Sequence, residues 1–413
     1  MADQVIFDLD FVRAQFPDPC WDWAFFESAG GAFNPNCVIQ RMTNYMTNSQ
    51  VQPGYPFPMA QKAQKRMDMG HNLMAEMIGA EQDEVVVTAS TSFSVYVLAQ
   101  ALRPLWSPGD EIIVTNLNHE ANSGSWRRLE EFGLKIIEWP VHPDTGQLDI
   151  ELLDRLLTDK TRLVAFPHVS NITGDINDVP RITQKVHDAG GMVCVDGVAL
   201  APHRHVDVKA WDVDFYLFSF YKVFGPHMGC LYGKRDRLLE AKNQYHYFVK
   251  NDDITHKMNP AGPNHESIAA LVGVADYFDA LALHHFPNTS NTLFQRVKSV
   301  YEMTASHEAM LAQKFVDFIT SKPGVRLMGR QTGDIDQRCA TFSFTAEGKS
   351  SAEIARGVET QKVAIANGDF YAHRLLDALG VKDLNDGVVR CSMAHYNTAE
   401  EVDRLIGALD HIL

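Results

Sequence analysis

Seven short runs of β-branched and aromatic residues stand between Val85 and Tyr232, and each is continuous instead of alternating. They are Val85-Val86-Val87, Ile112-Ile113-Val114, Ile136-Ile137, Leu163-Val164-Ala165-Phe166, Met192-Val193-Cys194-Val195, Phe215 to Phe218 and Cys230-Leu231-Tyr232. Successive strand residues point to opposite faces, so an apolar residue at every position means a strand buried on both sides. Helices laid on each face supply that burial, and helix-like stretches such as Trp126 to Phe132 and Ile182 to Ala189 lie between the runs. The fold class read from this pattern is α/β, a mostly parallel seven-stranded sheet covered by helices. Ligands of such sheets bind beyond the carboxyl ends of the strands.

After the Gly-Pro-rich segment Asn259 to Pro263 the pattern turns helical through Ser267 to Leu283 and then changes character. From about Tyr301 it predicts a helix, a strand at Ala340 to Phe344, a helix from Ser351 and a strand at Val388 to Ser392. A capping box, Thr398-Ala399-Glu400-Glu401, announces a last helix. The chain is therefore divided into an N-terminal arm (1–24), a large domain (25–283) and a smaller C-terminal α+β domain (284–413). No repeat or low-complexity tract interrupts it.

With 413 residues, 45% of them hydrophobic, the chain can bury a large core. Its 37 basic against 52 acidic residues give a net charge of -15, which argues against a nucleic-acid partner. The six cysteines, Cys20, Cys37, Cys194, Cys230, Cys339 and Cys391, show no C-x-x-C pair, so neither a disulfide framework nor a metal site is expected. No signal-peptide pattern stands at Met1-Ala2-Asp3-Gln4-Val5, and no run is read as a membrane span. A reducing cytoplasm is the expected setting.

Two strand ends carry chemistry. The run from Phe215 leads to Ser219 and then Lys222 before the Gly225-Pro226 break, which places an amine at a sheet edge. Desolvated there, a lysine can react as the free amine and condense with an aldehyde. The run Met192 to Val195 ends in Asp196, and a carboxylate at a neighbouring strand tip is the group that keeps a pyridine nitrogen protonated. The two together point to pyridoxal 5'-phosphate. Ser90 and Thr91 follow another run at a predicted helix start, where unpaired backbone N–H groups and the helix dipole favour a phosphate. Arg390 breaks an apolar strand with the side chain best suited to grip a carboxylate by two parallel hydrogen bonds.

From about Phe25 to the C-terminus the chain resembles the class V aminotransferases, the family that includes cysteine desulfurases, selenocysteine lyases, kynureninase and isopenicillin N epimerase. The resemblance rests on Asp196-Gly197 followed by Pro202-His203 and Val206-Asp207-Val208. It continues in Ser219-x-x-Lys222 with Gly225-Pro226 and Gly229, then in Val389-Arg390-x-Ser392-x-Ala394-x-Tyr396-Asn397. It implies the large domain of fold type I and a lysine aldimine with pyridoxal phosphate at Lys222, partnered by Asp196. It further implies phosphate contacts from Ser90, Thr91 and Ser219, a ring-stacking His119, and Asn171 on the phenolic oxygen. Arg390, with the small-residue turn Ala29-Gly30, is implied for the substrate carboxylate.

Departures from the family pattern matter as much. A histidine just before the lysine is Tyr221 here, whose hydroxyl donates a hydrogen bond but carries no charge. Where desulfurases show Asp-Gly-Ala-Gln, this chain reads Asp196-Gly197-Val198-Ala199. The cross-subunit loop of the family's homodimer matches Ala261 to His265, with Gly262 for its usual threonine, so a backbone N–H or His265 takes over that contact. The segment matching the desulfurase nucleophile, Ile365 to Arg374, contains no cysteine. Cys391 is expected on the opposite strand face from Arg390, and Cys194 within a core strand. The expectation is an enzyme on an amino-acid substrate, a C–S or C–Se β-lyase without the persulfide cysteine; an aminotransferase, an epimerase and a non-catalytic scaffold are the alternatives.

Overall fold

A computed structural model describes residues 6–287 and 291–413, so the N-terminal reading of Met1 to Val5 lies outside the described residues. The chain folds into two compact units interleaved along the sequence. One comprises Met1–Pro17, Phe33–Ser107 and Arg204–Met303; the other comprises Asp18–Ala32, Pro108–His203 and Thr304–Leu413.

In the first unit the strands Val85–Thr88, Gly229–Gly233 and Phe215–Ser219 pair antiparallel in that order, and every residue in them is buried. The helix Thr91–Leu102 leaves the end of the first strand with Ser90 as N-cap, whose side chain accepts from the Phe93 N–H. Asn36–Asn48, Pro58–Met77 and His265–His285 form a helical layer. The last packs closely because it carries Gly273: a Cβ there would come within 2.5 Å of Val38 Cα. The helix Asn36–Asn48, which no apolar period marks in the sequence, buries Val38 and Tyr45 while its many polar residues face water. The helix His265–His285 is long and apolar enough by itself to cross a bilayer, yet 72% of its apolar window is buried inside the protein, as in a core helix.

In the second unit Met192–Asp196, Thr161–Pro167, Glu111–Thr115 and Lys135–Trp139 pair parallel in that order. The outermost, Lys135–Trp139, has half-buried Ile136 and Ile137, as an edge strand does, whereas Glu111–Thr115 and Met192–Asp196 are buried throughout. With the three antiparallel strands above, these make up the seven runs seen in the sequence. The same unit carries a second, antiparallel sheet in the order Ala366–Gly368, Val388–Ser392, Thr341–Ala346, Val325–Leu327. Its core includes Phe342, Phe344, Val389, Cys391, Val402 and Leu405. The helices over it, Ser351–Glu359 and Ala399–Asp410, both start in capping boxes, the second being the Thr398/Glu401 box of the sequence.

Candidate functional site

In the first unit the strand Phe215–Ser219 ends in a single tight turn, Phe220–Lys222, that leaves Lys222 only 8% exposed. The Lys222 amine lies 5.9 Å from the centre of the Tyr221 ring. Ser219 Oγ hydrogen-bonds Thr91 Oγ1 at 2.7 Å, which brings two predicted phosphate ligands together at the start of the helix Thr91–Leu102. Gly229 lets the neighbouring strand pass beneath this corner, since a Cβ there would sit 2.5 Å from Ser90 C and 2.6 Å from Thr91 N. Tyr221 stacks on His227, with ring centres 4.7 Å apart and planes 7° from parallel. His227 was missed in the sequence, because it follows a Gly-Pro turn with no spacing signal. Gly262 is exposed, and His265 opens the helix capped by Asn264, whose side chain accepts from Ser267 N–H at 2.9 Å.

In the second unit Asp196 ends its strand 6% exposed. Its Oδ1 accepts from Val198 N–H at 2.9 Å, and its carbonyl accepts from His168 N–H at 2.8 Å. Burial holds the His168 imidazole neutral, its pKa pushed down to about 3. His119 stands on a loop fixed by buried asparagines: Asn118 Nδ2 donates to Ala165 O at 2.9 Å, and Asn122 Oδ1 accepts from Trp126 Nε1 at 3.0 Å. His119 Nδ1 accepts from Ala121 N–H at 3.1 Å, so in the neutral ring the proton is on Nε2. Its ring lies 5.2 Å from that of Tyr371.

Arg390 is on an interior strand, not an edge, and is 4% exposed, so its charge requires partners. Nη2 forms an ion pair with Glu27 Oε1, Nη1 donates to Asn171 O at 3.4 Å, and the guanidinium carbon lies 3.8 Å from the centre of the Phe370 ring. Asn171 Nδ2 in turn donates to Phe370 O at 2.9 Å. Ala29 N–H donates to Ser392 Oγ at 2.7 Å, which docks the Ser28-Ala29-Gly30 turn on the strand of Arg390. Phe370 and Tyr371 both have positive φ, 49° and 57°, a conformation that costs a non-glycine residue about 1–2 kcal/mol. Glu27, Phe370 and Tyr371 went unassigned in the sequence, although all three lie in or beside segments quoted there. Cys391 is fully buried on the core side of its strand, as expected, and burial pushes its thiol pKa up.

The residues suit pyridoxal phosphate. The Ser90–Thr91–Ser219 corner offers hydroxyls and a helix start over a glycine cradle, which fits a phosphate monoester. Asn171 Oδ1 is buried without a hydrogen-bond partner, an acceptor left over for a bound group. Ser28 Oγ is a second such atom, in the turn beside Glu27.

Comparison with known proteins gives the family and its cofactor. The family model Aminotransferase class-V matches residues 24–405. Over 416 residues the chain is 36% identical to the aminotransferase-like protein FGM3 of Gibberella zeae, covering 98% of this chain and 99% of that protein. It is 34% identical over 428 residues to the cysteine desulfurase-like protein ustD of Aspergillus flavus, covering 99% and 91%. The solved structure of the cysteine desulfurase CsdA from Escherichia coli aligns with a TM-score of 0.82 at 27% identity, covering 98% of each chain. The chain belongs to the class V aminotransferase family, α/β enzymes with a mostly parallel central sheet covered by helices that act on small amino-acid substrates with pyridoxal phosphate.

Proposed function

We propose that this enzyme is a β-lyase that cleaves a C–S or C–Se bond of a cysteine-like or S-conjugated amino acid directly, with no persulfide cysteine. When bound, pyridoxal phosphate supplies the aldehyde that joins the substrate amine and a cationic ring that takes up the electron pair released at Cα. Ser90, Thr91 and Ser219 hold the phosphate, helped by Tyr221. Lys222 anchors the cofactor through its amine, and Nζ then takes the proton from the substrate Cα. Asp196 keeps the proton on the ring nitrogen, His119 covers the ring, and Asn171 donates to the phenolic oxygen the Nδ2 N–H that it does not give to Phe370 O. Arg390 takes the substrate carboxylate.

The observation that carries the direct route is the loop after Gly368. It presents aromatic side chains and no thiol, with Phe370 laid on Arg390 and Tyr371 against His119. Cys194, Cys230, Cys339 and Cys391 are buried, and desolvation raises the Cys37 thiol pKa to about 11 and that of Cys20 above its usual value. A direct elimination needs no attacking thiolate. A second reading, transamination, draws on the aminotransferase-like relative. A homodimer, with the Ala261 to His265 loop reaching the neighbouring site, and a cytoplasmic setting complete the proposal.

The deciding measurement is keto-acid formation from cysteine and S-substituted cysteines without an amine acceptor. Pyruvate released together with ammonia supports the lyase. Keto acid formed only when a 2-oxo acid is supplied establishes the aminotransferase. Borohydride reduction and peptide mapping should place the cofactor on Lys222, and Lys222→Ala should abolish both label and turnover. Replacing the six cysteines singly by serine should leave turnover in place; one variant that stops sulfur release would instead reveal a relocated nucleophile.

A further inference from the structure

Glu27 sits where a substrate carboxylate belongs. Its Oε1 pairs with Arg390 Nη2, and its carboxylate fills the space over Gly30 so completely that a Cβ on that glycine would overlap it. The backbone here is pinned on both sides. Phe26 O accepts from Ser392 N–H at 2.7 Å, Glu27 bridges to Ser392, and Ala29 N–H donates to Ser392 Oγ at 2.7 Å. None of these backbone hydrogen bonds involves the Glu27 side chain, which is 24% exposed, so its rotation from Arg390 toward water would leave them intact. Arg390 cannot follow it, because Phe370 covers its face and Asn171 O holds Nη1.

We propose that Glu27 is a specificity-determining residue: an internal carboxylate that occupies Arg390 and yields preferentially to the carboxylate of a substrate anchored through its amine as well. This rests on the assignment of Arg390 to the substrate carboxylate. The exchange replaces one carboxylate by another at the same guanidinium, so the charge attraction nearly cancels and effective concentration decides. Glu27 is tethered beside Arg390 at a concentration of roughly millimolar or above. A free carboxylic acid must exceed that to compete. An amino acid already held through its amine presents its carboxylate intramolecularly and meets Glu27 on equal terms. The device rejects simple acids and keto acids, and speeds release of a product that has lost its amine attachment. Apparent affinity for a carboxylate is scaled by the fraction of molecules in which Arg390 is open.

The test is calorimetric titration of the purified full-length enzyme with propionate, which has a carboxylate and no amine, in the native protein, Glu27→Gln and Glu27→Ala. KM for an amino-acid substrate is measured alongside. Each variant should bind propionate about tenfold more tightly, the gain expected if Arg390 is open in roughly one native molecule in ten. KM should fall less. In an Arg390→Lys background the gain should vanish, because the fork that Glu27 occupies is gone. Unchanged or weaker propionate binding in a variant with a native melting curve would overturn the proposal. So would weaker amino-acid binding with unchanged propionate binding, which would put Glu27 on the substrate ammonium. Propionate binding is read without turnover, so a failed lyase assay leaves this result standing by itself.

Discussion

Thr91 and Ser219, 128 positions apart in the chain, hydrogen-bond hydroxyl to hydroxyl at 2.7 Å. The contact locks the start of one helix to the end of the strand that presents Lys222, so phosphate corner and lysine turn move as one piece. Thr91→Val leaves the buried Ser219 hydroxyl unpaired and should cost about 1–3 kcal/mol, whereas pairing it with Ser219→Ala should recover part of that loss. Both variants should lose cofactor on dialysis faster than the native protein. Urea unfolding and the absorbance of retained cofactor measure the two effects separately.

Asp196→Asn should keep the fold and the cofactor, because the amide oxygen can still accept from the Val198 N–H that Oδ1 accepts from now. It should lower turnover about a hundredfold or more, the scale of removing one preorganised electrostatic partner of the reacting group. Steady-state rates checked against cofactor content test this, and a loss of only a few-fold would give Asp196 a structural role.

Tyr371 is 72% exposed with φ 57°, so it contributes contact to His119 at the expense of backbone strain. Asparagine adopts positive φ more readily than tyrosine. Tyr371→Asn should therefore raise unfolding free energy by up to about 1 kcal/mol while lowering kcat/KM, since the ring beside His119 is gone. A denaturation midpoint and a kinetic assay on the same preparation give the two signs.

Burial depresses the imidazole pKa of His168 to about 3, and of His205 and His395 to about 4. In the unfolded chain each titrates near 6.5, so as pH falls from there toward 4 the unfolded state takes up protons that the folded state refuses. Stability is fully present above about pH 6.5 and declines below it, with His395 alone accounting for up to about 3 kcal/mol. Urea midpoints between pH 7 and 4 should trace this decline, and His395→Gln should flatten it.

What the sequence determined by itself was local and periodic. Continuous apolar runs specified the strands, the Thr398/Glu401 box started the last helix where it was read, and Ser90 emerged as an N-cap. Strand-end positions for Asp196 and Lys222 followed from the same runs. The helix Asn36–Asn48 was hidden because its buried face rests on only a few residues, Val38 and Tyr45 among them, and a close glycine contact, too little for a periodic signal. Only the tertiary structure decided which charges and rings meet. Glu27 reaches Arg390 across 363 positions and Phe370 reaches Asn171 across 199, and no spacing rule connects residues that distant. Those pairings arise because a buried guanidinium must be satisfied wherever the folded backbone brings an acceptor and a ring to it. Sheet pairing, not propensity, sets that meeting place.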